Sequence, residues 1–309
     1  MESFINYLTS LPGAVAQGII WGIMAIGVYI TYKVLDIADL TVDGSICTGA
    51  SVCATLMTLG YSIPVAMLGA VIAGMLAGLV TGIFHTKMGI PAILAGILTQ
   101  LMLWSINLKI MGAALGKPSV ANVPISARKY DLLVSLLKIN KSLIVLGIFS
   151  LLLIAVLYWF FGTEFGASVR ATGSNPVMSE AQGININFTK IIGLMISNGI
   201  VALSGSLLAQ LQGNSDINMG KGAIVIGLAS VIIGEALFGK ITKSNFALKL
   251  IAVIFGGIIY YVVCATVIYF GLDTNYLKLL TALVVALFLA VPYLKGKYFH
   301  SKKSRKEKA

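Results

Sequence analysis

Charged residues are scarce in this chain. Of its 309 residues only 11% are charged and 58% are hydrophobic, and the mean hydropathy is +0.95. Soluble domains carry about 25% charged residues, so this composition excludes a soluble protein. The apolar runs are continuous over about 20 residues, which suits helices crossing a hydrocarbon core of about 30 Å better than the alternating strands of a barrel. The sequence therefore predicts an all-α polytopic membrane protein.

Histidine and cysteine are also rare, and their positions disfavour catalysis. The two histidines, His85 and His300, are far apart in the sequence, and the three cysteines lie in apolar runs without C-x-x-C spacing. A near match to a phosphate-binding loop, Gly234–Ile241, lacks the hydroxyl residue that such a loop needs after its lysine. We therefore expect no catalytic residues, no metal site and no cofactor bound by this chain.

The apolar runs predict about nine transmembrane or re-entrant helices in one domain, residues 1–294. Residues 295–309 carry seven Lys or Arg and one Glu. We interpret them as a basic cytoplasmic tail that faces lipid headgroups, and not as a nucleic-acid-binding arm. Nine crossings then place the N-terminus outside. The predicted spans are 13–34, 46–60, 63–84, 90–110, 142–162, 189–211, 222–239, 246–270 and 276–294.

One loop conflicts with this topology. The segment Met111–Lys141 is expected outside, yet it is basic, whereas external loops of membrane proteins usually carry few Lys or Arg. Either it is an external docking surface for an acidic partner, or the topology is wrong by one crossing. The short, glycine-rich segment 222–239 is the span least expected to cross fully.

Three carboxylates interrupt the apolar pattern at Asp36, Asp39 and Asp43, directly before Gly44. Charge at bilayer depth costs about 2.5–3.5 kcal/mol per residue, so it marks a pathway, a pair or a break in a helix. In a helix the three would share one face, where they would meet water or pair with Lys33. The alternative is that Asp39 or Asp43 caps the helix that follows.

The segment Asp39–Ile46 has a weak echo at Asp216–Ala223. Each copy precedes an apolar segment rich in small residues and then a longer span. Two such units in opposite orientation form the inverted repeat of transporters, with a binding site at their interrupted helices; coincidence is the alternative. The repeat halves are then about 36–162 and 213–294. The candidate pathway-lining residues are Asp39, Asp43, Gly44, Asp216 and Asn218.

Glycines recur every four residues at Gly74, Gly78 and Gly82. This spacing lines one helix face with small residues and lets a second helix approach closely. The partner helix is either in the same chain, which is the simpler expectation, or in a second subunit.

A polar loop, 162–190, separates two of the predicted spans. Asn175-Pro176 is typical of a helix start, because proline suits the first helical turn. Glu180 and Ala181 follow on that helix, and Gly183 is placed to end it. The loop therefore predicts a short capped helix suited to insertion into a groove of a partner.

This loop resembles the cytoplasmic loop of permease subunits from ABC importers of the branched-chain amino acid and ribose type. The matching residues are Gly173, Asn175, Pro176, Ala181, Gly183 and Ile184. The family has alanine where this chain has Met178-Ser179-Glu180. Ala229–Gly239 resembles a second family segment, in which Glu235 replaces a glycine. The segment around Asp39 is closest to a branch paired with tryptophan or other amino-acid binding proteins.

The resemblance implies a set of partners. Two permease subunits, expected to be identical, would form the pore in the plasma membrane. Cytoplasmic ATPase subunits would bind ATP and Mg²⁺, and an extracellular binding protein, docked on the basic loop 111–141, would deliver the solute. The short helix would be the coupling helix to the ATPase, with its role carried by Gly173, Asn175, Pro176, Glu180, Ala181 and Gly183.

Three functions remain open from the sequence. An importer for an amino acid, aromatic or branched-chain, is the leading hypothesis, and the same kind of permease for a nucleoside or a pentose is the nearest alternative. An ion-coupled secondary transporter, with aspartates that bind the ion, belongs to a different class. It would need no ATPase, so uptake by this chain alone under an ion gradient separates the two classes.

Overall fold

The computed structural model describes residues 2–125, 130, 132–239, 242 and 245–269, and also the positions 279, 282, 283, 286 and 290. Ten α-helices and one pair of short strands account for the regular structure within these residues. The predicted last span, 276–294, and the basic tail, 295–309, fall outside the continuous part.

The elements are α1 (Glu2–Tyr29, extended by a π-helical turn, Ile30–Val34), α2 (Val42–Thr58), α3 (Ile63–Thr86), α4 (Ala92–Ala114), β1 (Asn122–Pro124), a 3₁₀ turn (Leu136–Lys138), α5 (Ile139–Gly162), α6 (Glu164–Ser174), α7 (Pro176–Ala181), α8 (Ile186–Gln212), β2 (Asn214–Asp216), α9 (Ala223–Phe238) and α10 (Phe246–Tyr269).

Eight of the nine predicted spans correspond to these helices, but they are of two kinds. Within the described residues, six are long and apolar enough to cross a membrane, namely α1, α3, α4, α5, α8 and α10. Helices α2 and α9 have 17 and 16 residues. At 1.5 Å per residue they extend only about 25 Å, which is less than the hydrocarbon core. The expectation of a short helix at 222–239 therefore applies equally to the predicted span 46–60.

Helices α1 and α8 form the centre of the bundle. In their most apolar windows 78% and 83% of residues are buried, against 22–33% in the other four long helices. The two central helices are antiparallel, because Ser197 near the middle of α8 donates to the carbonyl of Gly27, and Ser204 farther along donates to that of Ile20. A serine hydroxyl that donates to a backbone carbonyl of the neighbouring helix has a hydrogen-bond partner although no water reaches the interface.

Helix α3 packs antiparallel on α8 through its glycines. A side chain at Gly74 or Gly78 would collide with the α8 backbone at Asn198 or Leu194, and one at Gly82 would lie 3.0 Å from Ile191. The three glycines therefore face a helix of the same chain. Helix α10 packs on α1 in a corresponding way, because Gly18 and Gly22 leave room for Ile258 and Ile254.

The short helices run in opposite directions. Helix α2 is parallel to α8, since Ser45 bonds Asn198 and Cys53, two turns later, contacts Gln210. Helix α9 is parallel to α1, since Gly227 lies against Met24 and Val28 while Glu235 pairs with Lys33. Because α1 and α8 are antiparallel, α2 and α9 point away from each other. This is the arrangement expected of an inverted repeat.

The alignment of the two Asp segments is wrong by four residues. It placed Ile46 against Ala223, whereas α2 begins at Val42 and α9 at Ala223. Helix α2 packs on α8 and α9 packs on α1, and these contacts join residues that are far apart in the sequence. The few residues shared by the two segments therefore do not reveal where each helix begins.

The predicted helical face of three aspartates is also absent. Residues 35–41 are not helical, and Asp36 has φ +54°, a left-handed conformation that ends the preceding helix. Lys33 forms its ion pair with Glu235 of α9 at 2.9 Å and not with Asp36; Asp36 is exposed, which agrees with the other alternative, that it meets water. The left-handed residue turns the chain, so the periodicity of a continuous helix does not apply.

Two ends of the bundle can be named from α8. The α7 end is where α6 and α7 precede the first residue of α8. The strand end is where β2, directly after α8, pairs antiparallel with β1, with Val123 opposite Ser215. The non-helical segment 35–41 is the break before α2. Asn198, which donates a hydrogen bond to Asp39 in this break, is close to the midpoint of α8. The break therefore lies near the middle of the bundle.

Candidate translocation site

The first turns of α2 and α9 meet at Asp43. Its Oδ2 accepts a hydrogen bond from the backbone N–H of Gly222 at 3.0 Å, and its Oδ1 accepts one from Ile224 at 2.9 Å. Gly222 has φ +87° and is the N-cap residue directly before α9. A carboxylate at this point satisfies two N–H groups that have no partner within the helix and lies at the positive end of the helix dipole. Asp43 thus caps α9, and not its own helix.

The segment before α9 is held against α2 by further backbone contacts. The Gly220 N–H donates to Cys47 Sγ at 3.1 Å, and the Cys47 thiol donates to the Ile217 carbonyl at 3.4 Å. A side chain at Gly220 would collide with the carbonyl of Asp43. Cys47 therefore packs and bonds locally, and the glycine permits the close approach of the two chain segments.

Asp39 fixes the other end of the break. It is 2% exposed, its Oδ1 accepts from the Thr41 N–H at 2.9 Å, and its Oδ2 accepts from Asn198 Nδ2 at 2.7 Å. Ser45 completes the network by donating to Asn198 Oδ1 at 2.6 Å. Asp39 was a candidate pathway-lining residue, but its buried carboxylate is committed to the packing of the break on α8.

A cavity of about 250 Å³ opens beside Asp43. It lies between the first turns of α2, one face of α4 and the segment that leads into α9. Asn107 is fully buried there, and neither atom of its side-chain amide has a hydrogen-bond partner among the described residues. The lining residues are Asp43, Gly44, Cys47, Gln100, Leu101, Trp104, Asn107, Ile217 and Lys221.

The α4 residues of this cavity escaped sequence reasoning, although a signal was present. Gln100, Trp104 and Asn107 are spaced by four and three residues, which places them on one helix face. Polar side chains within an apolar span usually face the bundle interior or a water-filled cavity. Applied to residues 90–110, this rule would have identified them.

Two other predicted residues lie elsewhere. Asp216 is on β2, where it accepts from the Asn218 N–H at 2.7 Å and from Asn122 of β1 at 3.4 Å. Asp216 ends β2 and Asn218 lies in the turn that follows it, and Ile217 between them is the residue that reaches the cavity. Of the five pathway candidates, the structure brings Asp43 and Gly44 to the cavity and leaves Asp39, Asp216 and Asn218 outside it.

The short helix predicted in the loop 162–190 is α7. Asn175 is its N-cap, with Oδ1 accepting from the Met178 N–H at 3.1 Å, and Pro176 is the first helical residue. Gly183 follows the helix with φ +84°. Val177 is 77% exposed and Met178 is 58% exposed, so α7 presents apolar side chains at the end of the bundle. Glu180 and Ala181 are exposed as well.

Helix α6 connects α7 with the break before α2. A side chain at Gly173 would collide with the carbonyl of Val34, and Leu35 lies against the same glycine. A second cavity, of about 490 Å³, lies at this junction beside the break. Its lining includes Leu35, Asp36, Ile37, Ala38, His85, Gly173, Pro176 and Lys190. The two cavities lie on either side of the break.

Comparison with known proteins gives a consistent result. The family described as "Branched-chain amino acid transport system / permease component" matches residues 11–291. The tyrosine transport system permease protein of Clostridioides difficile (strain R20291) is 43% identical over 92% of this chain and 91% of its own length. The uncharacterized protein RP368 of Rickettsia prowazekii is 33% identical over 90% of this chain and 95% of its own. The autoinducer 2 import system permease protein LsrC of Salmonella typhimurium is 26% identical over 62% of this chain and 54% of its own.

The family match extends from α1 beyond α10, the tyrosine permease match covers 92% of the chain, and these two matches decide between the two transporter classes left open by the sequence. An all-helical bundle with two opposed short helices and an exposed, capped α7 agrees with the class that the matches indicate. The chain belongs to the branched-chain amino acid transport system permease family, and it is the membrane-embedded permease of an ABC importer.

Proposed function

We propose that this permease conducts an amino acid with an aromatic side chain. The observation that carries the proposal is the 43% identity to a tyrosine transport system permease across nine-tenths of both chains. A nucleoside or a pentose is the alternative, and the more distant likeness to an autoinducer 2 permease shows that related permeases import solutes other than amino acids.

ATP hydrolysis belongs, in this proposal, to a separate cytoplasmic subunit that binds ATP and Mg²⁺. Helix α7 would seat its exposed Val177 and Met178 in a groove of that subunit. The N-cap of Asn175 and the left-handed Gly183 hold α7 as a rigid unit, which suits the transmission of a movement. Closure of the ATPase would move α7 and the adjoining α6. The close contact of Gly173 in α6 with Val34 would then pass this movement to the end of α1.

The α7 end would face the cytoplasm of the cell whose plasma membrane holds the importer. Lys87, Arg170 and Lys190 lie near this end, in agreement with the positive-inside rule. With nine crossings, the basic tail 295–309 would be on the same side. The strand end and the basic loop 111–141 would then face outward, where an extracellular binding protein delivers the solute.

A second copy of the chain would complete the pore. Within each copy, the repeat halves at about 36–162 and 213–294 would rock about the junction of α2 and α9. Asp43 joins these two helices by hydrogen bonds and not by a covalent linker, so the junction can shift while the long helices stay packed. Alternating access in inverted repeats follows from rigid-body movements of this kind.

The test is reconstitution of the permease with its ATPase in proteoliposomes, with uptake measured in the presence of the binding protein. We expect uptake of L-tyrosine that requires ATP and the ATPase subunit. Uptake of a pentose or a nucleoside in place of tyrosine would overturn the solute assignment. Robust uptake by the permease alone under an ion gradient would overturn the need for an ATPase.

A further inference from the structure

We infer that the cavity beside Asp43 is a binding station for the zwitterionic form of the solute on its way through the permease. The inference rests on the proposed amino-acid substrate and adds where, and by which groups, that solute is held. The station is defined by Asp43, Gln100, Trp104, Asn107 and Lys221. It lies near the middle of the bundle, where the first turns of two oppositely directed short helices meet.

Asn107 is the first reason to assign a ligand to this cavity. Its side chain is fully buried on the cavity wall, and in the described part of the chain neither its Oδ1 nor its Nδ2 has a hydrogen-bond partner. A buried amide without partners is costly, so such groups are kept where a ligand satisfies them. Gln100, two helical turns before Asn107 on the same face of α4, adds a second amide to the same wall.

The charges of the cavity define the class of ligand. Asp43 contributes one carboxylate and Lys221 one ammonium, so the formal charge of the lining is zero with its two signs separated. Each oxygen of Asp43 accepts one backbone hydrogen bond and retains capacity for another from a solute ammonium. Lys221 supplies a donor for a solute carboxylate. A zwitterion complements this pair, whereas a neutral sugar leaves both charges without a counter-ion.

Size and aromatic content agree with the same class. The volume of about 250 Å³ lies below the range of about 300–1,000 Å³ usual for drug-sized ligands, which suits a single small solute. Trp104 offers an indole ring to the cavity, and an aromatic solute side chain can pack on it in the offset or edge-to-face arrangement. The station thus has a separate surface for each part of an aromatic amino acid.

The decisive variant is Asn107→Leu in the reconstituted importer. Leucine has a similar volume and removes the unpartnered amide, so we expect the thermal unfolding midpoint of the permease to rise or stay unchanged. Uptake of L-tyrosine is expected to fall about tenfold, because leucine cannot form the hydrogen bonds that the Asn107 amide makes with the solute.

Trp104→Ala, with Trp159→Ala as its matched control, tests the aromatic wall. Both tryptophans are exposed, at 48% and 71%, but only Trp104 lines the cavity. We expect Trp104→Ala to reduce tyrosine uptake about fivefold or more and Trp159→Ala to leave it at the wild-type rate. Equal effects of the two substitutions would overturn the assignment of the ring to the solute.

The outcomes separate the inference from the proposed function. Wild-type uptake of tyrosine with unaltered uptake by Asn107→Leu overturns the inference and leaves the proposed function standing. A fall in both uptake and unfolding midpoint for Asn107→Leu also overturns it, because Asn107 would then be a structural residue. Wild-type uptake of D-ribose without uptake of tyrosine or leucine overturns both.

Discussion

Asp43 in the first turn of α2 accepts a hydrogen bond from the backbone N–H of Ile224 in the first turn of α9, at 2.9 Å. One carboxylate thus joins the starts of two helices that belong to different halves of the chain and run in opposite directions. A movement that separates the halves must break or re-form this contact.

Replacement of Asp43 therefore has a defined cost. We expect Asp43→Ala to lower the free energy of unfolding by about 1–2 kcal/mol, because the N-terminus of α9 loses its cap. Asp43→Asn should cost less, since its amide oxygen still accepts one of the two bonds, although the favourable interaction with the helix dipole is lost. Thermal unfolding of the purified permease measures both. Asp36→Asn is the control, because Asp36 is exposed and asparagine tolerates its left-handed conformation. Equal stability of wild type and Asp43→Ala would contradict the capping role.

The contact of α6 with the end of α1 predicts different effects for two glycines. Gly173→Ala places a methyl group against the carbonyl of Val34, whereas Gly147→Ala on α5 meets no atom within 4 Å. We expect Gly173→Ala to destabilise the permease by about 1–3 kcal/mol through overpacking. Gly147→Ala should stabilise it by up to about 1 kcal/mol, because alanine is the better helix former. Unfolding midpoints and ATP-driven uptake, measured side by side, check the difference.

The result that would contradict this prediction is normal uptake and normal stability of Gly173→Ala. The α6–α1 contact would then carry no coupling between α7 and the break. A fall in uptake for both glycine variants would point to a general effect on helices and not to this contact.

Local capping chemistry made α7 predictable from the sequence. Asn175, Pro176 and Gly183 each act within a few residues of themselves, so their roles can be inferred without knowing the rest of the fold. The glycine stripe Gly74–Gly82 indicated close packing for the same reason, because a face of small residues is a property of a single helix. Its partner, α8, could not be inferred, since many apolar helices offer a complementary surface.

Contacts between the two halves were not predictable. The bond between Asp43 and Ile224 and the ion pair of Lys33 with Glu235 join residues whose proximity depends on the packing of α1 and α8. The aligned Asp segments indicated opposed units but gave a register wrong by four residues, because two short segments with few shared residues can be aligned in several ways. Asn107 was missed because one polar residue in an apolar run is conspicuous only once its neighbours on the helix face are considered.

Helix α7 is expected to tolerate little change at Gly183. Its φ of +84° is unfavourable for any residue with a side chain, although the space around it is open. Gly183→Ala should therefore cost about 1 kcal/mol locally and fray the end of α7. If α7 couples the permease to its ATPase, uptake per ATP hydrolysed falls about fivefold, the factor that corresponds to about 1 kcal/mol. The amount of permease in the membrane should not change.

Glu180→Lys probes the same coupling without strain, because Glu180 is exposed and lies on the helix itself. We expect a similar loss of uptake per ATP and an unaltered unfolding midpoint. Normal coupling in both Gly183→Ala and Glu180→Lys would remove α7 from the transmission of ATPase movements.

The buried network of Asp39 with Asn198 leads us to expect a large loss of stability when Asn198 is replaced. Asn198 donates to Asp39 at 2.7 Å and accepts from Ser45 at 2.6 Å, and Asp39 also accepts from the Thr41 N–H at 2.9 Å. Asn198→Ala therefore removes the amide donor from one oxygen of a buried carboxylate, at a cost of about 2–3 kcal/mol. Asn187→Ala on the exposed face of the same helix serves as the control and should change stability by less than about 0.5 kcal/mol.

The double variant Asp39→Asn with Asn198→Ala should recover part of the loss of stability, because it no longer carries the uncompensated charge of Asp39. Thermal unfolding of the three proteins tests the network, and a double variant less stable than Asn198→Ala would show that the charge of Asp39 is not what Asn198 stabilises.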